Sequence, residues 1–152
     1  MIPQILMPRR IALPVVLVVV SALFPAFTAQ ADVRILSSPG GAVDAYLAAF
    51  ARMRQSGERI VIDGPCLSAC TLVLSTIPRN RICVTRRAVL GFHAPRWYYP
   101  GTGQTMRASE PTRAVIASYP PAVRAWIKKR GGLTQKVIYL RGKELAALYR
   151  RC

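Results

Sequence analysis

Downstream of residue 32 the chain is a series of short apolar runs cut by glycine and proline. Val33-Arg34-Ile35-Leu36 alternates weakly and predicts a short strand. Ser37-Ser38-Pro39-Gly40-Gly41 breaks it. Across residues 42–54, Val43, Leu47, Phe50 and Met53 recur at helical spacing, and Gly57 ends that helix. Ile60-Val61-Ile62 is a β-branched run of the kind found in buried strands, stopped by Gly64-Pro65. Residues 69–77 are apolar and predict a short helix running to Pro78. Arg81-Ile82-Cys83-Val84 and Ala88-Val89-Leu90-Gly91-Phe92 predict two further strands. Strand, helix, strand, helix, strand is the signature of an α/β fold with a short, mostly parallel sheet flanked by helices.

The second half is less regular. Residues 94–109 are rich in Gly, Pro and Tyr and read as a loop. Residues 110–119 and 122–130 read as helices split by Pro120-Pro121, with Gly131-Gly132 capping the second. Residues 134–140 predict a turn of helix leading into a strand, and 143–151 a final helix. No internal repeat or low-complexity stretch interrupts this order, and 152 residues fit one domain.

Residues 1–31 stand apart. Arg9-Arg10 precedes an uncharged, mostly apolar run from Ile11 to Phe27, and Ala29-Gln30-Ala31 then offers a small-residue exit before Asp32. This is the layout of a secretory signal peptide. A membrane span needs roughly 20 apolar residues. The run here is shorter and is interrupted by Pro14 and Pro25, so an uncleaved inner-membrane anchor is the alternative to a cleaved signal. The expectation is a periplasmic or secreted domain over residues 32–152. Losing Arg9 and Arg10 leaves 20 basic side chains against 6 acidic ones, and the net charge falls from +16 to +14. Export makes disulfides available to Cys66, Cys70, Cys83 and Cys152. They allow three complete pairings, among which spacing alone does not choose.

Three segments carry candidate chemistry. Ser38-Pro39-Gly40-Gly41 lies between a strand and a helix, where glycine lets backbone N–H groups face an anion. It is also an ordinary turn sequence. Gly64-Pro65-Cys66-Leu67-Ser68-Ala69-Cys70 lies at a second strand-to-helix junction. Ser68 there is either a helix N-cap or a nucleophile at the sheet edge where sites collect in open α/β folds. Gly91-Phe92-His93-Ala94-Pro95 ends a strand and holds the single histidine of the chain. A serine nucleophile needs a base, and imidazole is the usual one, so Ser–His chemistry here would use Ser68 and His93.

Taken together, the three segments resemble the proteolytic subunit of the Clp protease, within the Clp protease/crotonase fold, and still more its exported bacterial relatives. That subunit carries a Ser-Pro-Gly-Gly turn, a Gly-x-x-x-Ser nucleophile segment and a His-x-Pro base segment. They stand here as Ser38–Gly41, Gly64–Ser68 and His93–Pro95, in the same order and at similar spacing. The resemblance implies Ser68 as nucleophile, His93 as general base, and the backbone N–H groups of Gly41 and Ala69 as oxyanion donors. It spans roughly residues 33–149.

Two departures accompany it. The family's orienting Asp corresponds to about Val137, and the only acids after His93 are Glu110 and Glu144. A backbone carbonyl or Gln135 is then left to fix the imidazole tautomer. Missing an orienting acid costs rate by orders of magnitude in triad enzymes. The family also carries a strand–helix–strand portion before the Ser-Pro-Gly-Gly turn, so an N-terminally shortened domain is expected, its exposed face covered by a partner or left bare.

Two readings follow: an ATP-independent serine peptidase with a Ser68–His93 dyad, acting on peptides or unfolded protein, or an inactive Clp-like fold serving as a periplasmic binding module. No cofactor, metal or nucleic-acid partner is expected, and homo-oligomerisation stays open. Cys83 is expected to pair with Cys66 or Cys70, because their strands would be neighbours in one parallel sheet. Arg86, Arg87, Arg96, Lys128, Lys129, Arg130, Arg150 and Arg151 are spread over several elements, which argues against a recognition helix. With the Arg96-Trp97-Tyr98-Tyr99 segment they suggest salt-sensitive adsorption to an anionic membrane or cell-wall polymer.

Overall fold

A computed structural model describes residues 31–152, so the predicted signal segment, Ala31 aside, lies outside the described residues. The chain runs through β1 (Asp32–Ile35), α1 (Val43–Ser56), β2 (Arg59–Ile62) and β3 (Pro65–Leu67). A 3-10 turn over Ser68–Leu72 continues into α2 (Val73–Thr76). Then come β4 (Ile82–Val84), β5 (Val89–Phe92), the β6 (Arg96–Tyr98) and β7 (Thr105–Arg107) hairpin, α3 (Ser109–Ser118), α4 (Pro121–Lys129), β8 (Ile138–Arg141) and α5 (Gly142–Leu148). The architecture is mixed α/β with short sheets and helices.

The single sheet expected from the sequence is in fact two. The first has the order β1-β2-β4 and is wholly parallel; the second has the order β3-β5-β8, with β8 antiparallel. The strands of the first sheet continue into the second through a shared bend. After β1 the chain reaches Ser38, which bridges Cys66 of β3; β2 passes through Asp63-Gly64 into β3; β4 turns through residues 85–88 into β5. Gly64 sits in this bend because nothing larger fits: an added Cβ would lie 1.9 Å from the Leu36 carbonyl oxygen. The Gly64-Pro65 break in the sequence is therefore a kink between two strands, and Pro65–Leu67 is a strand rather than the approach to a helix. Residues 94–109, expected as a loop, hold the β6–β7 hairpin, and residues 134–137 form no helical turn before β8.

Asp63 holds the bend. Its side chain is only 6% exposed and accepts hydrogen bonds from Arg34 Nη1 of β1 at 2.8 Å, Thr85 Oγ1 at 2.7 Å, and Arg87 Nε and Nη2 at 3.0 and 2.6 Å. One carboxylate thus ties together the exits of all three strands of the first sheet. Within the core, Ile60, Ile62 and Ile82 of the first sheet and Leu90, Phe92 and Leu140 of the second are almost fully buried. Each such side chain contributes on the order of 1.5–3 kcal/mol. The C-terminus of α1 is closed by Gly57 at φ +83° and by the Arg81 guanidinium, which donates to the carbonyls of Met53, Arg54 and Glu58.

The cysteine pairing differs from the expected one. Cys66 bonds to Cys70, and Cys83 bonds to Cys152. The bend explains it: Cys66 belongs to the second sheet, in register with Leu90, whereas Cys83 belongs to the first, in register with Val61. Cys83 instead meets the chain end, which lies along β4: Val84 N–H donates to the Arg150 carbonyl at 3.0 Å and Cys152 N–H to the Val84 carbonyl at 3.3 Å. The last predicted helix accordingly ends at Leu148, freeing the chain end for this pairing.

Mass mapping of unreduced protein is expected to give 66–70 and 83–152 cross-links. Cys152→Ser is expected to lower unfolding stability by about 4 kcal/mol, because the bond closes a sequence separation of 69 residues. A third outcome concerns acid. The Arg87, Thr85 and Arg34 hydrogen bonds hold the Asp63 carboxyl well below the usual carboxylate range. Its contribution is therefore fully present above about pH 4, the unfolded value, and is lost as pH falls through the folded value. Denaturant midpoints measured downward from pH 5 should fall for the wild type and change less for Asp63→Asn, which starts lower.

Candidate functional site

The bend delivers the Ser-Pro-Gly-Gly turn beside the Ser68 turn. Ser38 N–H donates to the Pro65 carbonyl at 2.8 Å, and Leu67 N–H donates to the Ser38 carbonyl at 2.9 Å, so the first turn is zipped along β3. Ser38 Oγ and the Tyr46 hydroxyl lie 2.7 Å apart, tying the same turn to α1. Gly40, at φ +88°, then passes so close that an added Cβ would sit 2.6 Å from both the Leu67 carbonyl oxygen and Ser68 Cβ, and 3.0 Å from the Ala69 nitrogen. Glycine is required there by both conformation and space.

Ser68 has φ +54°, the one non-glycine residue in the left-handed region among the described residues. Such a conformation costs about 1–2 kcal/mol and persists only where its surroundings impose it. Here the restraints are explicit. The Cys66–Cys70 disulfide brackets the turn. Thr71 Oγ1 donates to the Ser68 carbonyl at 2.7 Å and lies 2.6 Å from the Tyr119 hydroxyl. Burial pushes the Tyr119 phenol up to about 12, so at neutral pH it is a neutral partner for Thr71.

Opposite, His93 follows β5. His93 Nδ1 lies 2.8 Å from the Ala94 carbonyl oxygen, and Ala94 N–H donates to the Thr134 carbonyl at 2.7 Å. A carbonyl oxygen only accepts, so this contact puts the proton on Nδ1 and leaves Nε2 as the basic nitrogen. Gln135 is exposed and is not hydrogen-bonded to the ring. Val137 lies next to Gly91, where an added Cβ would be 3.2 Å from its Cγ1, so an apolar side chain borders the strand that ends at His93. Among the described residues no acidic side chain is bonded to His93, and Ser68 and His93 are not hydrogen-bonded to each other.

Ser68, Ala69, Gly41 and His93 nevertheless line one cleft of about 410 Å³. The four candidate site residues are thereby gathered in one place. Cys66 and Cys70 brace it from the core, whereas Cys83 and Cys152 belong to the far edge of the other sheet. The cleft also draws on Leu72, Val115 and Tyr119 for apolar wall and on Arg96 and Tyr98 for its rim. In the sequence Arg96 and Tyr98 stand out only as part of an aromatic loop. Thr71 was findable from its place three residues after Ser68; Tyr119 and Val115 reach the site from α3 and its end, with no local signal.

The sequence matches no protein-family model and no curated protein. Among solved structures, the fold is similar to that of a Ser-to-Ala mutant of the 1510-N membrane-bound stomatin-specific protease, with a TM-score of 0.50 and 19% identity over 74% of this chain. The chain covers 57% of that neighbour's length. At this identity the likeness is one of fold: the chain shares a protease-like fold.

Gly40→Ala is expected to lower stability by on the order of 1–3 kcal/mol through backbone strain alone, with the Ser68 contact adding to it. A melting curve of the variant beside the wild type checks it.

Proposed function

We propose that this protein is an exported, ATP-independent serine peptidase of the Clp-protease-like type. The observation that carries the reading is the convergence of a left-handed Ser68, two candidate oxyanion N–H groups and a base with a free Nε2 on one cleft. The fold shared with a protease supports it. The two disulfides fit an oxidising compartment, and with the Arg9-Arg10 start and the apolar run they support export. A chain beyond the cytosol has no ATP-driven unfoldase to feed it, so flexible peptides and unfolded segments are the proposed substrates.

In this mechanism His93 Nε2 takes the Ser68 hydroxyl proton as Oγ attacks the scissile carbonyl carbon. The resulting oxyanion is held by the N–H groups of Gly41 and Ala69. Ala69 lies in the first turn of its helix, where N–H groups lack intrahelical acceptors, and no acceptor is found for Gly41 N–H among the described residues. The C–N bond breaks as the leaving amine takes the proton from His93. Water then attacks the acyl-enzyme, gives its proton to His93, and releases the acid as Ser68 regains its hydrogen.

The second reading, a binding module without turnover, draws on the neighbouring-carbonyl partner of His93 and on its having no acidic partner among the described residues. A fluorophosphonate probe separates them. The peptidase reading expects covalent labelling of wild type, none of Ser68→Ala, and a loss of several orders of magnitude in labelling rate for His93→Ala, as when the base of a triad is removed. Unlabelled wild type, or Ser68→Ala labelled equally, overturns it in favour of the binding module.

A further inference from the structure

The β6–β7 hairpin forms the rim of the cleft and has an unusual charge pattern. Its register pairs Arg96 with Arg107, Trp97 with Met106 and Tyr98 with Thr105. Directly opposed residues of an antiparallel pair share a face, and alternate residues share it too. Arg96 and Tyr98 line the cleft. Arg107 therefore belongs to the cleft face with them, while Trp97 and Met106 occupy the other face.

Two like charges set directly across a ladder destabilise it. This pair has no relief among the described residues. Neither arginine makes an ion pair or side-chain hydrogen bond among the described residues. Most of the acids are committed elsewhere: Asp32 to Arg59, Asp63 to Arg34 and Arg87, Glu144 to Arg130, and Glu58 to Ser56. Asp44 and Glu110 stand in the first turns of α1 and α3, and neither forms a salt bridge to the hairpin. The walls deeper in the cleft, from Leu72 and Val115, are apolar and supply no counter-charge.

We propose that the cleft selects peptide segments with a carboxylate beside the scissile bond, an acidic side chain or a C-terminus, held by Arg96 and Arg107. Guanidinium groups match a carboxylate with paired N–H donors, and Tyr98 offers a ring and a hydroxyl on the same face. This inference rests on the peptidase reading and names its substrate class, so its test reads binding and cleavage separately.

Fluorescein-labelled peptides sharing an apolar core, flanked by either glutamates or lysines, are titrated into Ser68→Ala protein and followed by anisotropy. Ser68→Gly, which suits the positive φ, replaces it if Ala disturbs the turn. The acidic peptide should bind roughly tenfold tighter at low salt, with the gap closing as salt is added. Arg96→Gln and Arg107→Gln, each added to that background, should lose roughly three- to fivefold of acidic-peptide affinity. Arg52→Gln, which removes the same charge from the exposed surface of α1, should lose none. Equal binding of the two peptides, or an equal loss with Arg52→Gln, overturns the proposal. So does an effect of the two hairpin variants on co-sedimentation with anionic phosphatidylglycerol vesicles and none on peptides, which would make the hairpin a membrane contact. Acidic selectivity without fluorophosphonate labelling of wild type supports the binding claim and overturns only the hydrolase reading; labelling without selectivity does the reverse.

Discussion

Asp63 is the constraint on which the rest of this structure depends. A small sheet of three short parallel strands cannot by itself enclose a core, because it has too little apolar area on either face. The chain solves this by bending each of the three strands into a second sheet, so that six short segments share one interior. Backbone hydrogen bonds carry the strands into the bend, with Thr85 N–H donating to the Ile62 carbonyl at 3.0 Å, and side chains must hold the turned exits together. Asp63 draws in Arg34, Thr85 and Arg87 from the neighbouring strand exits, and its own N–H donates to the Ile35 carbonyl. A buried carboxylate is tolerated only with such saturation. Two of its donors are half or more exposed arginines, so the charge is neutralised without burying a second ion.

The candidate site is a consequence of the same bend. Once β1 turns over beside β3, residues 38–41 run along the edge of the second sheet and must pass the β3-to-helix junction at close range. Gly40 makes that passage, and Ser68 takes the left-handed conformation opposite it. The strain at Ser68 is then distributed over a disulfide, a threonine hydroxyl and a buried tyrosine, each from a different depth of the molecule. This explains why the Cys66–Cys70 bond spans only the serine turn. It braces one junction, whereas the Cys83–Cys152 bond restrains the chain end against the edge of β4.

Much of this was legible in the sequence where the signal was local. The β-branched run at residues 60–62, the periodicity of residues 42–54 and the order of the three chemical segments all pointed to elements that are present. That the segments belong to one site was implied by the resemblance their order carries, not by the order alone. What failed was anything set by the relation between strands. Gly64-Pro65 reads as a stop, yet its meaning depends on the Leu36 carbonyl that passes 1.9 Å from where a Cβ would be, 28 residues earlier in the chain. Placing Cys83 beside Cys66 assumed a single flat sheet, and the bend removes that adjacency. The hairpin at Arg96–Arg107 was hidden because its strands are only three residues each and wholly exposed, so no hydrophobic alternation marks them.

The partner of His93 has a consequence for any reaction run in this cleft. A carboxylate on Nδ1 both fixes the tautomer and compensates the imidazolium that forms when Nε2 takes a proton. The Ala94 carbonyl does the first through its lone pair, but as a dipole it does less of the second. The cleft adds no anionic side chain of its own; its charged rim is cationic. In the proposed reaction the imidazolium therefore forms beside a cationic rim, and that rim opposes it. A carboxylate bound between Arg96 and Arg107 would cancel part of the rim's charge as it brings in the scissile bond. Binding the acidic segment would then position the substrate and ease the repulsion on the imidazolium, and the chemistry would favour the substrates that the rim holds best.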